Sequence, residues 1–375
     1  MKTLSNAHHM DKEKAPSGAR KRAPTEVVRS IRDGGLMAAN GLKFPSLDIE
    51  QKSAECIAKL DACVQGQFDA LIDRFLDQFE QYCGKITRMQ EAGQKGAVGF
   101  IYFSVLRTGI LASRNKIRLD AYDENWYMDR AECSGEYDVH ECYAFLEEYA
   151  DALESSRKAS KGGVTLRDVQ RAVFEESKKY LLLVAELIRV GLKRASDEQW
   201  FRAVKKHGLF VVCMGEYQDK ADILYKEDAT VKDAKEVKRF LESKRRPAFS
   251  HEICTGLDLT HGKYDGICLQ FSTFDGSDLS DSSFKNSKII CSSFKRAVIK
   301  RADFNRAQFF DADFGGATLE DVSFERAQLN HVSFAGAALV RVRFEGVIWA
   351  QALDFSGAEL TGTTIPGESQ KTVER

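Results

Sequence analysis

Nowhere in its 375 residues does this chain hold an apolar run approaching the ~18 residues that suggest a membrane span. It also lacks a surplus of either charge: 55 Lys and Arg stand against 56 Asp and Glu, for a net charge of -1. Without a cationic surplus there is no general attraction to DNA or to anionic membranes, so neither is an expected partner. Residues 1–35 lack any hydrophobic period and are expected to be a disordered basic tail. They also lack an apolar h-region, which argues against a Sec signal peptide. Arg20, Lys21 and Arg22 within that tail could touch nucleic acid, but a solvated tail is the plainer reading. The nine cysteines are odd in number and form no framework, and several fall at core-type positions. They are expected to be reduced thiols of a cytoplasmic protein.

Catalytic motifs are missing too. There is no P-loop, no G-x-G-x-x-G after a strand, no G-x-S-x-G, no H-E-x-x-H and no C-x-x-C pair. Cys133, His140 and Cys142 match no standard zinc spacing and have no evident fourth ligand, so neither a metal nor a cofactor is expected. His8 and His9 fall in the basic tail. Asp123, Glu124, Trp126 and Tyr127 join carboxylates to aromatics without a base or nucleophile beside them, and a turn with packed rings is the expectation. An enzyme survives as an alternative only if the helical region hides a site without a motif, in a pocket around Trp126, Tyr127 and His140.

What the chain does have is periodicity. Ile57, Leu60, Val64, Phe68, Leu71, Phe75, Phe79, Tyr82, Ile86 and Met89 advance by steps of three and four, which predicts one long amphipathic helix, broken near Gly66. Ser46 is its expected N-cap, with Asp48 and Glu50 in the first turn. A stripe of that length must pack on later helices or on a second copy. A strand and a turn are expected around residues 100–127, helices over 139–153 and 165–190, short strands over 209–216 and 221–225, and a charged helix over 232–243. Residues 36–250 thus read as a mainly α-helical domain with a few short strands.

From Leu259 to Trp349 every fifth residue is large and apolar. Neither helix nor strand has a period of five, so this is a structural repeat. The large residues alternate in kind. Tyr264, Phe274, Phe284, Phe294, Phe304, Phe314, Phe324, Phe334 and Phe344 are aromatic, while those between them are mostly aliphatic. If four pentapeptides make one square turn, two aromatic stacks occupy opposite walls and aliphatic stacks the other two, so interior volume stays constant from coil to coil. After Trp349 the register slips by one residue and continues through Phe355, Leu360 and Ile365.

Segments such as Ala302-Asp303-Phe304-Asn305-Arg306 and Ala312-Asp313-Phe314-Gly315-Gly316 resemble the A-[DN]-[LF]-x-x pattern of pentapeptide-repeat proteins. The resemblance covers roughly the last third of the chain and implies a right-handed quadrilateral β-helix over 251–366, followed by a polar tail at 367–375. The whole is then a multi-domain protein.

Residues twenty apart should stack from coil to coil, so Asp281, Arg301, Asp321 and Arg341 should form a column of alternating charge. Exposed ion pairs stabilise little, and the column mainly avoids like-charge repulsion. Lys285, Lys288, Lys295, Arg296, Lys300, Arg301 and Arg306 cluster in sequence and form the candidate interaction surface for an acidic partner. The expected function is a non-enzymatic interaction or scaffold protein, its protein partner unidentified. The resemblance supplies an alternative, a DNA-mimicking binder that protects or inhibits a type II topoisomerase (gyrase). The near balance of acids and bases in the repeats departs from the acidic rod that mimicry requires. The N-terminal end of the β-helix can be covered by the 232–243 helix. The other end is left to a partner or a second copy, and the long apolar stripe is a second surface for a homodimer.

Overall fold

The computed structural model describes residues 44, 47–160, 162–217, 221–351 and 353–366. The expected tails at 1–35 and 367–375 and the expected cap Ser46 lie outside them, as do the side chains of Trp349, Ala350 and Gln351. The chain separates into two compact units, Met1–Lys226 and Glu227–Arg375.

In the first unit, helix α1 runs from Ile49 to Glu91 over 43 residues. Asp48 caps it, its carboxylate accepting from the Gln51 amide at 3.0 Å, two residues later than expected. The expected break falls at Gln67, beside Gly66, where the backbone leaves helical angles (φ -121°, ψ 18°). The apolar stripe from Ile57 to Ile86 is buried against α3 (His140–Ala159) and α4 (Leu166–Ala195). A capping box between Thr165 and Asp168 starts α4. Two short helices, α2 (Arg107–Leu111) and α5 (Gln199–Ala203), complete the helices of this unit among the described residues.

Five strands form a single sheet in the order β3-β2-β1-β4-β5: β1 Val98–Val105, β2 Lys116–Tyr122, β3 Ser134–Asp138, β4 Lys206–Glu216 and β5 Ala221–Asp228. β1 pairs antiparallel with β2 and parallel with β4. Ile101, Phe103, Leu119, Phe210 and Val212 join the helical core. The other face holds a smaller apolar cluster around Tyr102, Val211 and Cys213. With both faces apolar, β1 and β4 do not alternate cleanly, which hides a sheet from a period-two search.

The second unit begins with helix α6 (Ala234–Ser243), capped by Asp233, which accepts from the Lys235 and Glu236 amides at 2.7 and 3.1 Å. Val237, Phe240 and Leu241 cover the apolar cross-section of the first coil. Lys238 donates to the Thr260 carbonyl at 2.7 Å, and Glu242 accepts from the Lys263 amide at 3.0 Å. This is the N-terminal cover the sequence suggested. It satisfies edge groups that an open solenoid end would expose.

A four-sided β-helix of about five turns follows. Each coil takes twenty residues, so Ile289 pairs with Phe309 and Phe309 with Leu329. One wall is a parallel ladder of β6 (Phe249–Ser250), β7 (Cys268–Gln270), β8 (Lys288–Ile290), β10 (Gln308–Phe310), β12 (Gln328–Asn330) and β14 (Ile348–Gln351). The opposite wall is β9 (Val298–Lys300), β11 (Thr318–Glu320), β13 (Ala338–Val340) and β15 (Glu359–Thr361). Aliphatic residues, with Phe249 and Phe309, fill the inner side of these two walls among the described side chains. The aromatics fill the other two, as the alternation predicts. Phe284 stacks on Phe304 at 4.9 Å and Phe304 on Phe324 at 5.1 Å, nearly coplanar. Across the core Phe304 meets Phe314 edge to face at 6.2 Å. The register slip appears where Asn330 pairs with Gln351 instead of Ala350.

Candidate interaction surface

Each pentapeptide points two residues inward, the large central one and the small one two positions earlier; Ser277, Ala297, Ala307 and Ala317 are all fully buried. The remaining three face outward or turn the corner. Two residues after each central residue the backbone enters the left-handed region: Arg296, Arg301, Arg306, Asp281, Asp321 and Arg341 have φ between 53° and 59°, and Gly276, Gly316 and Gly336 between 64° and 66°. Left-handed backbone favours glycine, and asparagine and aspartate tolerate it better than other residues do. Arginine at four of these corners is therefore a choice made for its side chain.

The predicted charged column is present. Arg301 grips Asp281 with two hydrogen bonds of 2.6 Å, and Arg341 grips Asp321 with two of 2.7 Å while reaching Glu320 at 2.9 Å. These guanidinium contacts hold the Asp281 and Asp321 carboxyls below their ordinary range. Three more of the sequence-selected cations are ion-paired: Lys285 with Asp303 at 2.9 Å, Lys295 with Asp313 at 3.0 Å and Lys300 with Glu320 at 3.2 Å.

The seven candidates do not share one face. Lys285 follows Phe284 on an aromatic wall, and Lys295 follows Phe294 on the other. Lys288 lies on the β8 wall and Lys300 on the β9 wall. Arg296, Arg301 and Arg306 occupy three different corners. Closeness in sequence winds around the coil, because five residues turn the chain through one corner. Among the described residues, Lys288, Arg296 and Arg306 have no carboxylate within ion-pair distance. Arg326, which the sequence reading passed over, shares the corner column of Arg306 one coil on and also has none. Reading the repeat in steps of twenty would have found it.

The residues considered for chemistry in the first unit are placed apart. His140 is exposed at the start of α3 beside Asp138 (3.1 Å), whereas Cys142 is buried in the helical core and Cys133 beside Tyr82. Burial pushes the Cys142 thiol up to about 12. Among the described residues no group of three or more His, Cys, Asp or Glu is placed to hold a metal. Trp126 and Tyr127 form a 3-10 turn on the outer face of the sheet, where Trp126 stacks on Phe100 at 4.9 Å and Tyr127 meets Tyr122 at 5.3 Å. This is the packed aromatic turn the sequence suggested. It is anchored by Lys95, which is fully buried and donates to Asp129 at 2.5 Å, to the Ala121 carbonyl at 2.7 Å and to the Ala131 carbonyl at 2.6 Å. Nothing in the sequence pattern marked Lys95, one charge among many.

Residues 307–346 match a family model described as pentapeptide repeats (8 copies), and residues 272–318 match a second, described as pentapeptide repeats (9 copies). No curated protein matches the chain. Among solved structures, it is similar to the pentapeptide repeat protein Rfr23 from the cyanobacterium Cyanothece 51142, at 20% identity over 26% of this chain and 64% of that one, with a TM-score of 0.23. QnrB1, a plasmid-mediated fluoroquinolone resistance protein, is 23% identical over 31% of this chain and 60% of its own, with a TM-score of 0.21. HetL, from Nostoc sp. strain PCC 7120 and involved in heterocyst differentiation regulation, is 15% identical over 36% and 94%, with a TM-score of 0.18. The chain therefore spans about three fifths of the length of Rfr23 and QnrB1. With the family match and the coil geometry in agreement, the C-terminal third of this chain is a pentapeptide-repeat β-helix.

Proposed function

We propose that this chain is a non-enzymatic interaction or scaffold protein whose β-helix displays side chains in fixed columns to a protein partner. The observation that carries this reading is the division of the repeat into an inert, close-packed interior and an outward lattice repeating every twenty residues. Such a lattice places side chains at set spacings without mobile loops, which suits recognition more than chemistry. Trp126 and Tyr127 lie stacked on the neighbouring rings Phe100 and Tyr102, a packed turn that supports the non-enzymatic reading. The use of Cys56, Cys83, Cys142 and Cys213 as buried core residues supports a reducing, cytoplasmic setting.

A homodimer fits the same reading. Leu360 is 41% exposed in the last coil, an apolar residue that a second copy could cover. The DNA-mimicking alternative meets a charge problem. Residues 251–366 hold fifteen acidic and eleven basic residues, and the arginines at the corners tie up Asp281 and Asp321. A gyrase supercoiling assay with excess protein is expected to show no protection or inhibition; a clear effect would restore that alternative.

The test of the main reading is affinity capture from native cells with the full chain and with residues 1–226. Loss of the captured proteins on removing the β-helix is expected. An unchanged set would place the interaction elsewhere and end the reading.

A further inference from the structure

The four walls differ in charge, and one is nearly bare. On the wall of β7, β8, β10, β12 and β14 the outward side chains form two rows set by the strand register. One row runs Cys268, Lys288, Gln308, Gln328 and Ile348, and the other Gln270, Ile290, Phe310 and Asn330. Lys288 is the only ionised group in either row. The adjoining aromatic wall, by contrast, shows Lys263, Asp265, Lys285, Asp303, Glu325 and Arg343 at the equivalent positions. The bare wall also carries outward apolar groups. Ile290 and Phe310 are half-buried in their rows, and Ile348 is 63% exposed.

One long edge of this wall is basic. The corner that leads into it holds Asn286, Arg306 and Arg326, stacked one coil above the next, with both arginines exposed. The carboxylate next to Arg326 in sequence, Glu325, is engaged by Arg343 at 3.2 Å instead. Lys288, Arg306 and Arg326 are thus three exposed cations along one side of an uncharged strip. At the opposite edge Asp311 and His331 already have partners.

We propose that this strip docks an acidic amphipathic helix of a partner protein. The inference rests on the interaction reading above and names its surface and its partner class. Three residues of strand give a width of about 10 Å, and five strands at about 4.8 Å spacing give a length of about 20–25 Å. An α-helix is about 10 Å across, and roughly 16 residues cover that length. Its apolar stripe would lie on Ile290, Phe310 and Ile348, and carboxylates along one flank would meet Lys288, Arg306 and Arg326. An added strand is excluded by the geometry: β8, β10 and β12 each already pair on both sides, so the wall offers side chains and no free backbone edge. A second copy laid face to face brings no carboxylate in its own two rows to meet these cations. The strip's area, on the order of 250 Å², is also far below the ~800 Å² per partner of a standard interface, so binding belongs to the weak, transient class.

The probe is a fluorescein-labelled 16-residue helix with leucines on one face and glutamates flanking them, compared with the same peptide carrying lysines in place of glutamates. Anisotropy with the full chain is expected to show saturable binding of the acidic peptide and little of the basic one. Arg306→Glu combined with Arg326→Glu should weaken the acidic peptide at least tenfold and favour the basic one. Arg306→Gln with Arg326→Gln should weaken it less, and Phe310→Ser should weaken both peptides. Arg296→Glu, at the corner between the other aromatic wall and the β9 wall, should change nothing. Equal binding of the two peptides, or an equal loss with Arg296→Glu, overturns the proposal. If the strip variants keep full peptide affinity while residues 1–226 still lose the cellular partners, the strip assignment falls and the interaction reading stands. If truncation loses no partner, both fall.

Discussion

Lys95 is the residue on which the aromatic turn depends. Its ammonium is fully buried, and Asp129, 4% exposed, is its only charged partner among the described residues. Removing one member of such a pair strands the other charge out of water, at a cost of about 3–5 kcal/mol. Lys95→Ala is therefore expected to lower unfolding free energy by that amount in urea titrations, and to expose Trp126 as a red shift in fluorescence. Burial alone would raise the Asp129 carboxyl, but hydrogen bonds from Lys95, Ala131 and Asp123 more than offset it and hold the group below its ordinary range. A depressed carboxyl stabilises the fold fully above its unfolded value of about 4. That stability is lost as pH falls through the native value, so the wild-type chain should weaken below about pH 4 and Asp129→Asn should flatten that limb of a urea-midpoint profile. The thiols allow a second check. Burial pushes Cys56 up to about 11 and Cys213 up to about 12, which keeps both protonated and unreactive near neutrality. A thiol-exchange reagent at pH 8 should reach the partly exposed Cys63, Cys268 and Cys291 first and the buried six only on unfolding.

Between elements the telling contact is α4 on α1. Gly191 faces the Phe75 ring so closely that an added Cβ would overlap ring carbons. Elsewhere in a helix Gly→Ala gains about 1 kcal/mol of propensity, but here overpacking costs about 1–3 kcal/mol. Gly191→Ala is expected to lower the thermal midpoint. In the β-helix, Phe304→Ala removes a ring stacked between Phe284 and Phe324 and should cost about 3–5 kcal/mol in urea titrations. These two elements also show what the sequence could reveal. The coil was readable residue by residue, because each pentapeptide repeats one environment and the alternation of rings and aliphatics encodes the walls. The helices of the first unit were readable from their stripes, to within a few residues at the ends. The sheet was readable only in pieces. The strands expected over 209–216 and 221–225 are β4 and β5, and the strand expected within 100–127 is there. But β3 carries one core residue, Tyr137, and the joining of the strands depends on distant pairing. The seven basic candidates lie on different walls and corners for a related reason, since sequence neighbours in a coil point different ways.

At the scale of the molecule the open question is mass. Light scattering after size exclusion on the full chain and on residues 227–375, which keep α6 as a cover, is expected to show a dimer in both if the last coil is the interface. A dimer only for the full chain would move the interface to the first unit, and monomers in both would remove the homodimer. The corners carry a further consequence, one of handedness. Every coil turns four times through backbone that natural side chains resist, and at Gly276 and Gly336 an added Cβ would meet nothing within 4 Å. Only the chirality of the α-carbon stands in the way there, so L-alanine should cost about 1–2 kcal/mol. D-alanine, for which that backbone is the ordinary one, should instead stabilise by about 0.4–1 kcal/mol through a stiffer unfolded chain. A chemically assembled rod could thus take a mirror-image residue at its glycine corners, where proteases cannot cut, without altering a single column on its walls.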